Sequence, residues 1–472
     1  MSNEPEQTAE AVPSGGHEFE RVPVPPGHWK SLRSFLAMYA GEHVAGTEFM
    51  IGPLFLAAGV SAFDLIFGLL AGNALATLSW LFLCAPVATR LRITLYRKLE
   101  QVCGVQLVTL YNVVNGFLFC ILAGAMISVG VTALGVPLNL KMPGLQDWMP
   151  NSVAWVVGVL AVGAVFTYVA ARGYDAMARV AEVAAPWMIV VFLACGLVTL
   201  PALGVHSPGD FWEVAKTRIW KGGEPFPGQP KFTFWHVMFF AWTCNAAMHL
   251  GLVDMAIFRY AKKWTYGAAS GVGMFIGHFM AWIAASLLLA LQIARDPNNT
   301  TVAPGPMAYD AVGVAGVLCV LIAGWTTANP TLYRAGLAFQ SIFQNHSRFA
   351  LTLVAGGVAT AAAIFPALVM KLLDFVGLYG TILAPMGAIV LVDVYLLERW
   401  GLASNLAERR GLKFNLAAGL AWVVTLYLCA GLNVGLGIQV YFLAVPAWLM
   451  AGALYLLFSK LLQSRLWAKS GE

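Results

Sequence analysis

The stretch Val320–Gln340, VLIAGWTTANPTLYRAGLAFQ, decides how the rest of the chain is read. It opens as an apolar helix and sets two hydroxyls side by side at Thr326 and Thr327. Asn329 and Pro330 follow, and it closes on Tyr333 and Arg334, which read as the exit from a bilayer. Proline removes a backbone donor and crowds the preceding turn, so a break is expected here and nearby carbonyls lose their helical partners. In hydrocarbon, freed carbonyls and clustered hydroxyls persist only where protein, water or an ion satisfies them. Such a set of hard oxygens is what a dehydrated cation needs. A kinked helix whose threonines bond back to their own carbonyls accounts for the same residues equally well.

Of the 472 residues, 59% are hydrophobic and only 11% charged, and a bilayer-length apolar run recurs along nearly the whole chain. The fold class expected is therefore an all-α polytopic membrane protein. The net charge of +5 is small for the length, and the cations lie in inter-helix loops. They read as topology signals rather than a nucleic-acid footprint, so no nucleic-acid partner is expected. The seven cysteines include no CxxC pair and no Cys/His cluster, which argues against both a disulfide framework and a metal centre of that kind. Residues 1–30 are polar and rich in proline and glycine near the start, and they read as a flexible cytoplasmic tail rather than a signal peptide.

Hydropathy marks about twelve candidate spans, near 32–58, 62–89, 105–136, 152–171, 182–205, 232–256, 266–294, 308–332, 349–369, 372–397, 414–434 and 436–459. Placing both termini in the cytoplasm puts most of the 28 lysines and arginines inside, as the positive-inside rule requires. Span one is the least comfortable of them. Its YAGEHVAGTEFMIGP carries Glu42, His43 and Glu48 among glycines and Pro53. Each charge at bilayer depth costs about 2.5–3.5 kcal/mol, so these groups should face a polar cavity or a partner. The alternative for Glu42 and His43 is a shallow position near one surface. Span six, FFAWTCNAAMHLGLVDMAIFRY, is interrupted in the same way by Trp242, Thr243, Cys244, Asn245 and His249. Two broken polar spans, each first in a run of five, point to an inverted-repeat transporter with substrate and ion sites where the breaks meet. Span three offers Asn112, Asn115, Phe117 and Phe119, either as an aromatic wall for a flat ligand or as ordinary packing. The 206–231 loop reads as an external lid, and Asp393 as an interfacial structural carboxylate.

Several of these stretches resemble the nucleobase:cation symporter family that includes the bacterial cytosine permease. WTTANPTLYRAGLAF (325–339) resembles its tryptophan, threonine-pair and Leu-Tyr pattern without a gap. SAFDLIFGLLAGN (61–73) resembles its span-two entry, and PMGAIVLVD (385–393) its span-ten pattern. The resemblance implies the leucine-transporter fold with 12 transmembrane helices. A core over 31–400 would hold inverted repeats at about 31–205 and 232–400, two additional helices would occupy 401–460, and 461–472 would form a cytoplasmic tail. It also implies a Na⁺ site from the carbonyls of Glu42, Ala45 and Ala323 with the hydroxyls of Thr326 and Thr327. The substrate would lie near Gly46, Thr47 and Glu48, between Trp242 and a span-three phenylalanine (Phe119 or Phe117), with Cys244, Asn245 and Asn329 close by. Two departures matter. The family's asparagine after the threonine pair is Ala328 here, and its span-three glutamine falls on Gly116. Losing that hydrogen-bond reader argues against cytosine itself.

The expected function is secondary active symport of a small nitrogen-containing heterocycle by alternating access, with Na⁺ or H⁺ as coupling ion and no cofactor. The protein would act as a monomer in the inner (plasma) membrane. No phosphate-binding GxxxxGK[ST] motif is present, so an ion gradient would supply the energy. Glu48 suits a ligand with donors or positive charge, and equally a proton-coupled site. An amino acid or other small zwitterion is the alternative substrate, ranked second because Glu48 would repel its carboxylate. A non-transporting sensor ranks lower. A membrane-embedded enzyme ranks lower again, because Glu48 with His249 is the only acid/base pair on offer and no motif supports it. A channel has no repeated filter to support it.

Overall fold

The computed structural model describes residues 18–144, 147–367 and 372–469, and every regular element among them is helical. Residues 1–17 of the expected N-terminal tail and 470–472 of the C-terminal one lie outside the described residues. Nine helices among the described residues are long and apolar enough to cross a bilayer, and the protein is an integral membrane protein. The three other expected spans are met differently. The one at 349–369 is represented by a 16-residue helix, Arg348–Ala363. Those at 32–58 and 232–256 are interrupted.

The first interrupted span is α1 (Leu32–His43) followed by α2 (Glu48–Ala57). The chain unwinds over 44–47 because Gly46 is wedged between two neighbours. A Cβ there would sit 3.0 Å from the Val320 carbonyl and 3.1 Å from a Val129 methyl. Next come α3 (Ala62–Ser79), α4 (Leu95–Cys103), α5 (Val105–Gly135), α6 (Val153–Ala171) and α7 (Tyr174–Leu197). The second interruption, at Cys244 and Asn245, separates α8 (Phe234–Thr243) from the single turn α9 (Ala246–His249). A wide π-helical turn at Gly273–Phe279 leads into α10 (Met280–Arg295). The remaining helices are α11 (Val314–Ile342), α12 (Arg348–Ala363), α13 (Leu372–Tyr395), α14 (Leu416–Leu436) and α15 (Val440–Lys469).

Packing pairs repeat between the two halves. α5 and α11, third in their halves, pack on each other at the centre. The first broken span lies against the π-helical turn and α10 of the second half, and α8 lies against α3 of the first. α5 packs on α12 as α11 packs on α6, and the fifth helix of each half packs against a piece of that half's broken span, α7 against α1 and α13 against α9. This exchange is what two interlocked, inversely related repeats of five produce. α15 is appended against α13.

One expectation fails in the central helix. No break occurs at Pro330, and α11 continues through it to Ile342. The Thr331 hydroxyl donates to the Thr327 carbonyl (2.8 Å), beside the gap proline leaves, and the segment around Pro330 is buried. Arg334, read as the exit from a bilayer, is fully buried within the protein. Asp393 has a structural role, as expected, and is buried within the protein. It accepts from Lys98 Nζ (2.8 Å) and Tyr455 Oη (3.2 Å), which ties α13 to α4 and α15.

Residues 18–30, expected to be flexible, are held down. Arg21 forms a bidentate pair with Glu100 (3.0 and 2.6 Å), Arg259 donates to the Phe19 carbonyl (2.6 Å), and the Tyr174 amide donates to Glu18 (2.9 Å). At the other end of the bundle the 206–231 loop is anchored by the buried Trp220, whose Nε1 donates to Ser286 of α10 (2.8 Å).

Candidate functional site

Both interruptions open onto one buried place. A helix that stops inside hydrocarbon leaves carbonyls at its C-terminal end and amides at the next N-terminal end. Here α1 ends at Glu42 and His43 beside α11, and α2 begins at Glu48. The Thr327 hydroxyl donates to the Glu42 carbonyl (2.8 Å) and to the Ala323 carbonyl (2.9 Å), bridging the broken span to α11. The Thr326 hydroxyl bonds within its own helix, to Ile322 (3.1 Å) and Ala323 (3.3 Å), and contacts Met188 Sδ of α7 (3.8 Å), without reaching α1. Four expected cation ligands, the Glu42 and Ala323 carbonyls and the two hydroxyls, are thus linked by hydrogen bonds. All four are uncharged hard oxygens, a donor set that fits an alkali cation better than a transition metal. Ala45 stands in the break itself, its carbonyl accepting from the Glu48 amide (3.1 Å).

Beside this cluster is a cavity of about 60 Å³, below the several hundred Å³ of a site holding a drug-sized ligand. Thr47 and Glu48 from the first break and Cys244 and Asn245 from the second line it, as expected. So do His43, Met248, His278, Trp282, Thr327 and Tyr379. Trp282 Nε1 donates to Glu48 Oε2, and the Trp282 ring stacks on His278 at 4.3 Å and 15°. His278 is set by Asn245 Nδ2, which donates to its Nε2 (3.5 Å), and it meets the His43 ring at 5.0 Å. His43 Nδ1 must carry a proton, because it faces the Tyr39 carbonyl at 2.9 Å. Close approach of His43 is permitted by Gly273 and Gly277, where any Cβ would collide with the His43 ring or backbone.

Other expected substrate residues lie elsewhere. Phe117 is 51% exposed on the outer surface and packs on Phe339. Phe119 is buried against Tyr379 at 5.4 Å and does not line the cavity. Trp242 donates to Ser79 of α3 (3.1 Å) and is also absent from the lining. The sandwich of Trp242 with a span-three phenylalanine is therefore not formed, and the aromatic surface is Trp282 with His278. Gly116, standing where the family has a glutamine, lies under the Phe339 ring. Gly46 is enclosed between α5 and α11, and Asn329 is fully buried outside the cavity, its amide without a partner among the described residues. His249 packs on Trp80 at 4.6 Å with the rings tilted by 58° and bonds the Trp242 carbonyl at 3.0 Å, and it too is apart from the cavity. Sequence reading missed His278 and Trp282. The signal was a lone histidine four residues before a tryptophan in an apolar span, GHFMAW, a spacing that places both on one helix face.

Beneath the cavity the Glu42 side chain turns away from it. Arg334 reaches Glu42 at 2.6 and 3.2 Å and Asp254 at 2.5 Å, and Asp254 also accepts from Tyr39 Oη (2.6 Å) and Trp80 Nε1 (2.7 Å). This network joins α1, the turn that follows α3, α11 and the segment after α9.

No protein-family model matches the chain, and no curated protein matches it. Solved structures do. A closed conformation of Mhp1, described as a nucleobase-cation-symport-1 family transporter with bromovinylhydantoin bound, aligns with a TM-score of 0.71 at 16% identity, covering 96% of this chain and 97% of that one. A Na⁺-coupled sialic acid symporter in a substrate-bound outward-open state gives 0.66 at 14%, covering 94% and 91%. The inward-facing form of Mhp1 gives 0.62 at 17%, covering 94% and 95%. At these identities the likeness establishes the fold, that of the leucine transporter.

Proposed function

We propose that this protein is a secondary active transporter that imports a small nitrogen-containing heterocycle together with a cation by alternating access. The observation that carries this reading is the junction of the two interrupted spans, where Thr327 bridges the Glu42 and Ala323 carbonyls beside the cavity. Neighbours of the same fold are ion-coupled symporters, which supports the coupling. The core is residues 31–400 with repeats over about 31–205 and 232–400, and both termini are cytoplasmic. The structure then corresponds to a state closed on the cytoplasmic side, where the Arg334 network and residues 18–30 lie. A cation between α1 and α11 favours that closure because it needs oxygens from both helices at once, and a ligand bound there shifts the population toward the state that supplies them.

Na⁺ is the coupling ion that the uncharged oxygen set favours. The test is ligand-dependent thermal stabilisation of the purified protein across a panel of nucleobases, hydantoins and amino acids, with and without Na⁺. Stabilisation that needs Na⁺ and is lost in Thr327→Ala is expected. Thr326→Ala should weaken it less, since that hydroxyl does not reach α1. Stabilisation indifferent to Na⁺ but stronger at low pH would replace Na⁺ by H⁺. Amino acids outcompeting every heterocycle would replace the substrate class.

A further inference from the structure

The cavity lining carries one carboxylate with no counter-charge. Of its two glutamates, Glu42 has both oxygens held by Arg334. Glu48 has a single neutral donor, Trp282 Nε1, and no ion pair among the described residues. No lysine or arginine lines the cavity. Of the other polar groups there, the imidazoles are acceptors or committed, and the Thr47 hydroxyl is a neutral group that can donate or accept. His43 Nδ1 is used as a donor to Tyr39, which leaves Nε2 of the neutral ring as an acceptor, and His278 Nε2 takes the Asn245 amide. Glu48 also opens α2, so its own carboxylate occupies the electropositive end of the half-helix that a ligand carboxylate would otherwise seek. The stacked Trp282 and His278 rings form an aromatic wall next to that carboxylate, an environment that favours a planar cation.

We infer that Glu48 makes this site selective for a planar, cationic nitrogen heterocycle of the amidine or amino-heterocycle class, lacking any carboxylate. Its N–H edge would pair with Glu48 and its ring would lie on Trp282. This rests on the transport reading above and narrows its substrate. Glu48 is a specificity-determining residue because an ionised group buried without a partner is costly, and a cationic ligand supplies that partner. An anionic ligand of the same shape would double the problem.

The experiment uses three ligands that share one ring and differ in charge: 3-amidinopyridine, nicotinamide and nicotinate. Binding to the purified full chain in detergent with Na⁺ is read by quenching of tryptophan fluorescence. The amidine should bind at least about tenfold more tightly than the amide, and nicotinate should not bind, consistent with an unpaired buried charge costing more than 1.4 kcal/mol. In Glu48→Gln, which retains an acceptor for Trp282, the amidine should lose its advantage over the amide. In Glu48→Asp the preference should persist. Binding of the amide or nicotinate as tightly as the amidine, or an unchanged preference in Glu48→Gln, overturns the inference and leaves heterocycle transport standing. Failure of all three, and of the nucleobase panel, overturns both.

Discussion

Arg334→Ala is the substitution whose effect can be worked out most fully. Its guanidinium makes three charge-assisted bonds, at 2.6 and 3.2 Å to Glu42 and 2.5 Å to Asp254, and both Arg334 and Asp254 are inaccessible to solvent. Removing one member of a buried ion pair costs about 3–5 kcal/mol, most of it from the charge left unpaired. Here two carboxylates are stranded, but unequally. Asp254 keeps Tyr39 Oη and Trp80 Nε1 as donors, whereas both Glu42 oxygens lose their bonds to Arg334. Glu42 should therefore dominate the loss, and Arg334→Ala/Glu42→Gln should recover about 2 kcal/mol or more relative to Arg334→Ala. Unfolding of the four corners of this cycle in detergent, followed by tryptophan fluorescence, gives the coupling directly. A coupling energy within about 0.5 kcal/mol of zero would refute the charge argument and leave Arg334 a packing residue.

Gly116→Gln, which would restore the family's residue, should destabilise by about 1–3 kcal/mol through collision with Phe339 and leave ligand preference unchanged, as unfolding and binding titrations would show. Deleting residues 18–30 removes the Phe19 carbonyl from the buried Arg259, an expected loss of about 1–3 kcal/mol measurable by unfolding. In the exposed turn at 206–210, the hydroxyl and amide of Ser207 and the amide of His206 hold the Asp210 carboxyl below its ordinary range. A depressed carboxyl lends stability above its unfolded value and loses it as pH falls through the folded one. Protection of the His206 and Ser207 amides, taken relative to their intrinsic exchange rates, should therefore hold down to about pH 4 and fall below it.

The two interruptions were legible because charged, polar and glycine residues are conspicuous inside apolar runs, and Thr47, Glu48, Cys244 and Asn245 do line one cavity. The continuity of α11 was not legible. Proline forecasts a break from local sterics, while the neighbours that enclose Pro330 belong to distant stretches. The partners of Arg334 were not legible for the same reason, since they lie 292 and 80 residues away. Trp242 and Trp282 are chemically alike and both sit in apolar spans. Only the packing of α8 on α3 and of α2 on α10 decides which of them turns toward the break.

Residues 18–30 also constrain the order of biogenesis. Their partners are Arg92 and Glu100, then Tyr174, then Arg259 and Tyr260, and finally Arg348 at the start of α12. The ribosome delivers this segment before any of them. It must therefore wait, incompletely docked, while more than half the chain is inserted, and its full seating reports that helices from both halves have reached their places.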